Sequence, residues 1–327
     1  MEYRSFGKTG MNVSAIGFGC WEMGGSYGHI DEAKVISAIH RALDLGINLY
    51  DTAEVYGFGK SEALLARGLD KRRKDVILVS KFGTGYADLG RERNRDGRPE
   101  QAMASIETSL KILKTDYLDI YLVHWPDPKT PFEETMKTMG EIVDQGKARF
   151  VGVSNFNRTE TAECMAARNV DIAQYGYHLF DRRIESEVLP YCVEHDIGVM
   201  AYGPLAHGLL TGTFDVNTKF DDEDWRSKGG LFNMPLFTKE NFRRNLRVVD
   251  RLKEISKQCG KEVFHLALGW VLSNPSVSVA LVGAREPAEV EANMGALDWR
   301  LTEEIKRSID EIFDEQGIDT RPDVWVE

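Results

Sequence analysis

Several large classes of protein are set aside by what this chain lacks. Cysteine is scarce: Cys20, Cys164, Cys192 and Cys259 lie far apart, without CxxC spacing. That pattern argues against a disulfide framework or structural zinc, and free thiols in a cytoplasmic protein are the expectation. No apolar run approaches the ~20 residues that cross a bilayer. The first residues also lack the basic, then apolar, then small order of a secretory signal, so no membrane partner is expected. Positive charge falls short of negative, for a formal net charge of −11. A polyanion is therefore repelled at long range, and no nucleic-acid partner is expected. The glycines of "GFGCWEMGG" (17–25) do not form GxGxxG, the mark of an open, doubly wound dinucleotide fold. HxH pairs and carboxylate-rich strand ends are missing too, which disfavours a metal-dependent hydrolase; no metal is expected.

What remains is a composition typical of globular proteins, 42% hydrophobic and 28% charged over 327 residues. After a short N-terminal hairpin, apolar runs of strand length alternate with stretches of helical period. The runs cover 13–21, 47–53, 75–83, 117–125, 149–156, 172–180, 198–205 and 277–284. Helices are predicted at 31–45, 61–69, 99–114, 131–146, 158–168, 186–195, 239–259, 262–273, 287–297 and 302–314. Pro131 suits the first turn of its helix. Continuous apolar strands alternating with helices imply a parallel sheet covered by helices. Eight such units fit an α/β fold of one domain, residues 1–327: a (β/α)8 TIM barrel with an extra C-terminal helix and long loops at its C-terminal face.

The working face of such a barrel lies at the C-terminal ends of its strands. Asp51 ends the second predicted strand and Tyr56 follows it, while Lys81 ends the third and His124 the fourth. Each alone reads as an ordinary strand-end polar group, a solvated lysine or a satisfied core histidine. Together, on neighbouring strands at one depth, they suit proton exchange at a carbonyl or alcohol oxygen. A phenol titrates near 10, and an adjacent ammonium stabilises phenolate and lowers that value. Burial discharges a lysine, so Asp51 beside Lys81 keeps its charge. His124 can bond the substrate oxygen from the other side.

The segments "GINLYDTAEVYG", "VSKFG", "DIYLVHWPDP", "VGVSNF" and "YGPLAHGLLTG" resemble, in order, the successive motifs of the aldo-keto reductases. The resemblance spans nearly the whole chain and implies that Asp51, Tyr56, Lys81 and His124 form a catalytic tetrad. In that family hydride passes between a nicotinamide and a carbonyl carbon while the tyrosine handles the proton. The resemblance further implies Ser154, Asn155 and Gln174 as carboxamide ligands and Tyr202 as the ring that stacks on nicotinamide. Gly203, Leu205, Gly208 and Leu210 fall in the glycine-rich turn 203–212 that meets the pyrophosphate, and the insertion 213–240 is expected to clamp it. Gly203 replaces a frequent serine. Gly283, Arg285, Glu289 and Asn293 lie where the adenosine end is held, and Ala292 replaces a frequent acid. Arg285 points to the 2′-phosphate and so to NADP(H); Glu289, a carboxylate in place of a frequent arginine or glutamine, leaves NAD(H) open.

The expected activity is NADP-dependent reduction of an aldehyde, ketone or sugar, or the reverse oxidation. Trp21 and Trp125 line the expected pocket, which suits an apolar or sugar-faced substrate. The charged loop 83–98 is a candidate lid, although a charge-rich loop is more often simply solvated. His178 stands where the family often has a small polar residue. Two alternatives stand beside this reading: a cofactor-binding regulatory subunit like the potassium-channel β subunits, and an NAD-linked sugar or alcohol dehydrogenase. The sequence names neither substrate nor oligomeric state.

Overall fold

Alternating apolar runs and amphipathic stretches close into a parallel barrel in the computed structural model, which describes residues 1–84, 95–230 and 232–322. The chain opens with an antiparallel pair, β1 (Tyr3–Ser5) and β2 (Asn12–Ser14). Eight parallel strands follow: β3 (Ile16–Gly19), β4 (Leu49–Asp51), β5 (Ile77–Phe82), β6 (Leu118–Val123), β7 (Ala148–Ser154), β8 (Ile172–Gly176), β9 (Gly198–Tyr202) and β10 (Val279–Gly283). They pair in chain order, and β10 closes on β3.

Helices α1 (Glu32–Asp44), α2 (Lys60–Leu69), α3 (Pro99–Leu113), α4 (Phe132–Asp144), α5 (Arg158–Ala167) and α6 (Val188–Glu194) return the chain between strands. Two helices, α7 (Lys239–Gln258) and α8 (Val263–Leu272), occupy the return from β9 to β10. Then come α9 (Pro287–Met294) and the expected extra helix α10 (Glu303–Glu315). Each amphipathic helix turns its apolar stripe inward; α1, for example, buries Val35, Ala38, Ile39, Ala42 and Leu43.

The predicted first strand, 13–21, is in fact two. Its start pairs with β1, and only 16–19 joins the barrel. Ser14 makes the break: its hydroxyl donates to the Ile16 carbonyl at 2.7 Å and accepts from the Asn48 N–H at 3.1 Å. These bonds replace the ladder bonds of a continuous strand. The hairpin so formed carries fully buried Phe6 into the barrel interior, among Val13, Leu49, Val79, Ile120 and Met200. One end of the barrel is thereby plugged with hydrocarbon, which leaves the strands' C-terminal end as the mouth. Pro131 stands one residue earlier than expected, at the N-cap of α4 rather than in its first turn.

The segment between β9 and α7 crosses the mouth as a strap. Its short 3-10 helix, Trp225–Lys228, is capped by the Asp224 carboxylate, and the Trp225 N–H donates to the Ser26 carbonyl at 3.3 Å across the mouth. Phe220 meets Phe214 and Phe237 edge to face beneath it, and Phe214 and Phe237 pack at a tilt on Phe242, which holds the strap to α7. Among the described residues no helix is long and apolar enough to cross a membrane.

Candidate active site

Three of the residues singled out at strand ends meet in one buried chain of bonds. Lys81, on β5, is wholly enclosed, and its ammonium donates to Asp51 Oδ2 at 2.8 Å, to the Thr52 carbonyl at 2.9 Å and to the Tyr56 hydroxyl oxygen at 3.2 Å. Three acceptors match the three protons of an ammonium. Asp51, at the end of β4, receives a second bond on its other oxygen from Gln174 Nε2 at 2.7 Å. The fourth residue, His124, stands just past β6 with its ring edge-on to that of Tyr56, centroids 5.7 Å apart.

The electrostatics of this group differ in one respect from expectation. Burial pushes the Lys81 ammonium below its ordinary value, and Asp51 works in the opposite direction, as expected. Tyr56, however, is not drawn down. Burial and then the charge of Asp51 push its phenol well above 10. Desolvation of a buried phenolate outweighs the neighbouring ammonium here, because Asp51 already neutralises that ammonium. Tyr56 therefore holds its proton firmly. With Lys81 donating to its oxygen, the phenol's own hydrogen is left to be donated elsewhere.

Around this chain the other expected site residues form a second ring. Asn155 follows β7 in the left-handed region at φ 68°. Its amide nitrogen donates to the His124 carbonyl and to Ser154 Oγ, each at 3.0 Å, and its amide oxygen accepts from the Tyr202 hydroxyl at 2.9 Å. Asn155 thus ties the ends of β6, β7 and β9 together. The adjoining turn 203–212 has positive φ at Gly203, Ala206, His207, Gly208 and Gly212. Successive backbone N–H groups in such alternating conformations make a concave anion cradle. Leu205 and Leu210 belong to the same turn, where the Leu210 N–H donates to the Leu205 carbonyl at 3.0 Å.

His178 is buried, its ring 5.8 Å from that of His207, and its Nδ1 accepts from the Phe180 N–H at 3.2 Å. Burial and the neighbouring His207 hold His178 well below the usual histidine range, so it is neutral. On the far side of the mouth, Arg285 is held by Glu289. The carboxylate accepts from the Arg285 backbone N–H at 2.7 Å and from its guanidinium at 3.2 Å. Asn293 lies buried on α9.

Aromatic rings wall the opening. Trp21 lies 6.4 Å from Tyr56 and stacks at 6.0 Å on Trp225 of the strap. Trp125 stacks at 5.4 Å on Phe232, also of the strap, and Phe232 approaches Tyr202 at 5.9 Å. Arg95, from the charged loop, lies over the outer face of Trp125 at 5.2 Å. The remainder of the lid expectation, residues 85–94 with Arg91 and Arg93, lies outside the described residues.

Sequence reasoning missed three neighbours of the site. Trp225 and Phe232 had no periodicity to mark them. Arg226 donates to the His207 carbonyl at 3.1 Å and is fixed by the Asp224 carboxylate at 2.5 Å. Gly208, at φ 96°, leaves the room in which that guanidinium packs. The one legible sign was an aspartate two residues ahead of Arg226 in a polar insertion, a cap pattern. Among the described residues no cluster of metal-ligating side chains occurs.

Comparison with known proteins finds relatives along nearly the whole chain. The sequence model of the Aldo/keto reductase family matches residues 15–314. The aldo-keto reductase YhdN of Bacillus subtilis (strain 168) is 39% identical over 96% of this chain and 94% of its own length. The NADH-specific methylglyoxal reductase of Escherichia coli (strain K12) is 33% identical, covering 91% of this chain and 94% of its own. Among solved structures, a glycerol dehydrogenase from Gluconobacter oxydans superposes with a TM-score of 0.87 at 34% identity, over 99% of each chain.

Proposed function

This chain belongs to the aldo/keto reductase family of NAD(P)-dependent oxidoreductases, and from that premise we propose that Asp51, Tyr56, Lys81 and His124 are its catalytic residues and that it interconverts a small polyol with its carbonyl form. The observation that carries the reading is the Asp51–Lys81–Tyr56 chain of bonds. When bound, a nicotinamide dinucleotide supplies or accepts the hydride. Tyr56, kept protonated by burial, donates its proton to the substrate oxygen as that oxygen gains charge. Lys81, already donating to the phenol oxygen, stabilises the phenolate left behind. Asp51 and Gln174 fix the ammonium in that position. His124, edge-on to Tyr56, offers a second polar contact to the same oxygen. In the oxidative direction the same residues take the proton up.

The cradle, the aromatic wall and the polar strand ends fit such a cofactor. Ser154, Asn155 and Gln174 would hold its carboxamide, and Tyr202 would offer a ring for stacking. The turn bearing Gly203, Leu205, Gly208 and Leu210, with Arg226 packed over it, would receive the pyrophosphate. Gly283, Arg285, Glu289 and Asn293 would take the adenosine end. The sequence pointed to NADP(H) through Arg285. With that guanidinium already engaged by Glu289, a 2′-phosphate would have to displace a carboxylate, so the pairing supports NAD(H).

The substrate reading rests on Trp21, Trp125 and Phe232. Their faces suit the C–H side of a small oxygenated molecule, in keeping with the likeness to a methylglyoxal reductase and a glycerol dehydrogenase.

Titration with NADH and NADPH, followed by tryptophan fluorescence, tests the cofactor. Tighter NADH binding is expected, and tighter NADPH binding would overturn the role given to Glu289. Turnover of methylglyoxal with NADH, or of glycerol with NAD, then tests the reaction. Firm cofactor binding without turnover of these or of a wider carbonyl panel would favour a regulatory, cofactor-sensing role.

A further inference from the structure

One acid at the mouth has no place in the mechanism above. Glu22 follows Trp21 on the turn beyond β3, and its carboxylate is laid against the backbone of Gly283 at the end of β10. A side-chain carbon on Gly283 would collide with all three carboxylate atoms, so glycine there is what admits the acid. Two cations act on that carboxylate, Arg285, which is bonded to Glu289, and Arg226, which is bonded to Asp224. Glu22 thus lies at the end of β10, within the field of one cation from the loop after β10 and of another that is bonded to the loop after β9 through the His207 carbonyl. In parallel barrels, phosphate sites are built from these last two strand-end loops.

We infer that Glu22 is a cofactor-contacting residue that enters the complex as the neutral acid, donating its proton to a phosphate oxygen, so that dinucleotide binding takes up one proton from solvent. The inference rests on the cofactor site proposed above. An ionised carboxylate beside those loops repels the pyrophosphate, whereas a carboxylic acid supplies a donor to it.

The surroundings already favour the acid form. Burial pushes Glu22 up to about 7, with Arg285 and Arg226 opposing and Glu289 reinforcing. The other titratable groups within its field are Cys20 and Tyr27 from its own segment and Tyr56 from the loop after β4. All three are pushed upward by burial, and so are neutral. Bound phosphate raises Glu22 further. Affinity is therefore full below about pH 7 and falls as pH rises from there toward the value in the complex.

Calorimetric titration of the full-length protein with NADH, at pH 6 to 9 and in two buffers of different ionisation enthalpy, tests this. The expected dissociation constant weakens about tenfold per pH unit above 7, with uptake of about one proton at pH 8. Glu22→Gln keeps a donor without the charge. It is expected to bind at pH 8.5 as the wild type does at pH 6, with a flat profile and no proton uptake, while Glu289→Gln keeps the wild-type slope. A flat wild-type profile, or an unchanged slope and proton uptake in Glu22→Gln, overturns the inference and leaves the cofactor site standing. No binding of NADH or NADPH by either protein at pH 6 overturns the cofactor site, and the role of Glu22 with it.

Discussion

A single hydroxyl separates the wild-type protein from the most direct test of its chemistry. Tyr56→Phe removes the transferable proton and the acceptor for Lys81 while leaving the ring between Trp21 and His124. Turnover is expected to fall by about 10²–10⁴-fold, with NADH affinity and melting temperature nearly unchanged. Retained carbonyl reduction would refute the acid role. Lys81→Met behaves differently, because it strips the partner from a buried carboxylate. Removing one member of a buried pair costs about 3–5 kcal/mol, and urea unfolding is expected to show a loss of that size for Lys81→Met. At this scale the sequence was most informative. That Asp51, Tyr56, Lys81 and His124 would meet could be read because strand ends in a parallel barrel share one rim. The bonds that Gln174 and Asn155 make to Asp51, His124 and Tyr202 could not. A polar side chain at a strand end does not reveal whether it faces a ligand or braces its neighbours.

Elements were legible where period and length were clear, and illegible where a few polar atoms decided the path. Every predicted helix is present with its ends shifted by a few residues at most. Helices α1, α4, α7 and α10 carry a clear periodic apolar face, whereas α5 and α9 bury only two residues each. The first strand was misread as one piece because Ser14 and Asn48 bend it through side-chain bonds that no periodicity reports. The strap was legible only as an insertion too long to be idle. Its hold on the barrel is aromatic: Trp225 on Trp21, Phe232 on Trp125 and a phenylalanine cluster on α7. Local stability follows from such contacts separately from the barrel's own. Trp225→Ala is accordingly expected to accelerate limited proteolysis within 213–240 several-fold, while the chemical-denaturation midpoint of the barrel moves little. Equal protection of wild type and variant would mean that the phenylalanine cluster and the Asp224 cap hold the strap without Trp225.

The molecule as a whole carries buried acids and buried histidines that act on its stability in opposite directions with pH. Glu54 sits on the loop that bears Tyr56. Burial raises it to about 7, with the Ser105 hydroxyl opposing and the nearby Glu62 adding to the rise. Between about pH 4.5 and 7 the folded chain therefore binds a proton at Glu54 that the unfolded chain has lost. Its contribution is full below 4.5 and declines as pH rises to about 7. His207 has the reverse sign. Burial lowers it to about 3, so the unfolded chain takes up a proton below about 6.5 that the folded chain refuses, and stability falls on acidification. Glu54→Gln isolates the first effect. Relative to wild type its urea midpoint is expected to rise progressively from pH 5 to pH 8, since the amide has no charge to desolvate. If the difference between variant and wild type is the same at both pH values, Glu54 is ionised in the fold throughout. The loop carrying Tyr56 would then hold a buried charge beside Ser105, and Glu54 would contribute no decline in stability between about pH 4.5 and 7.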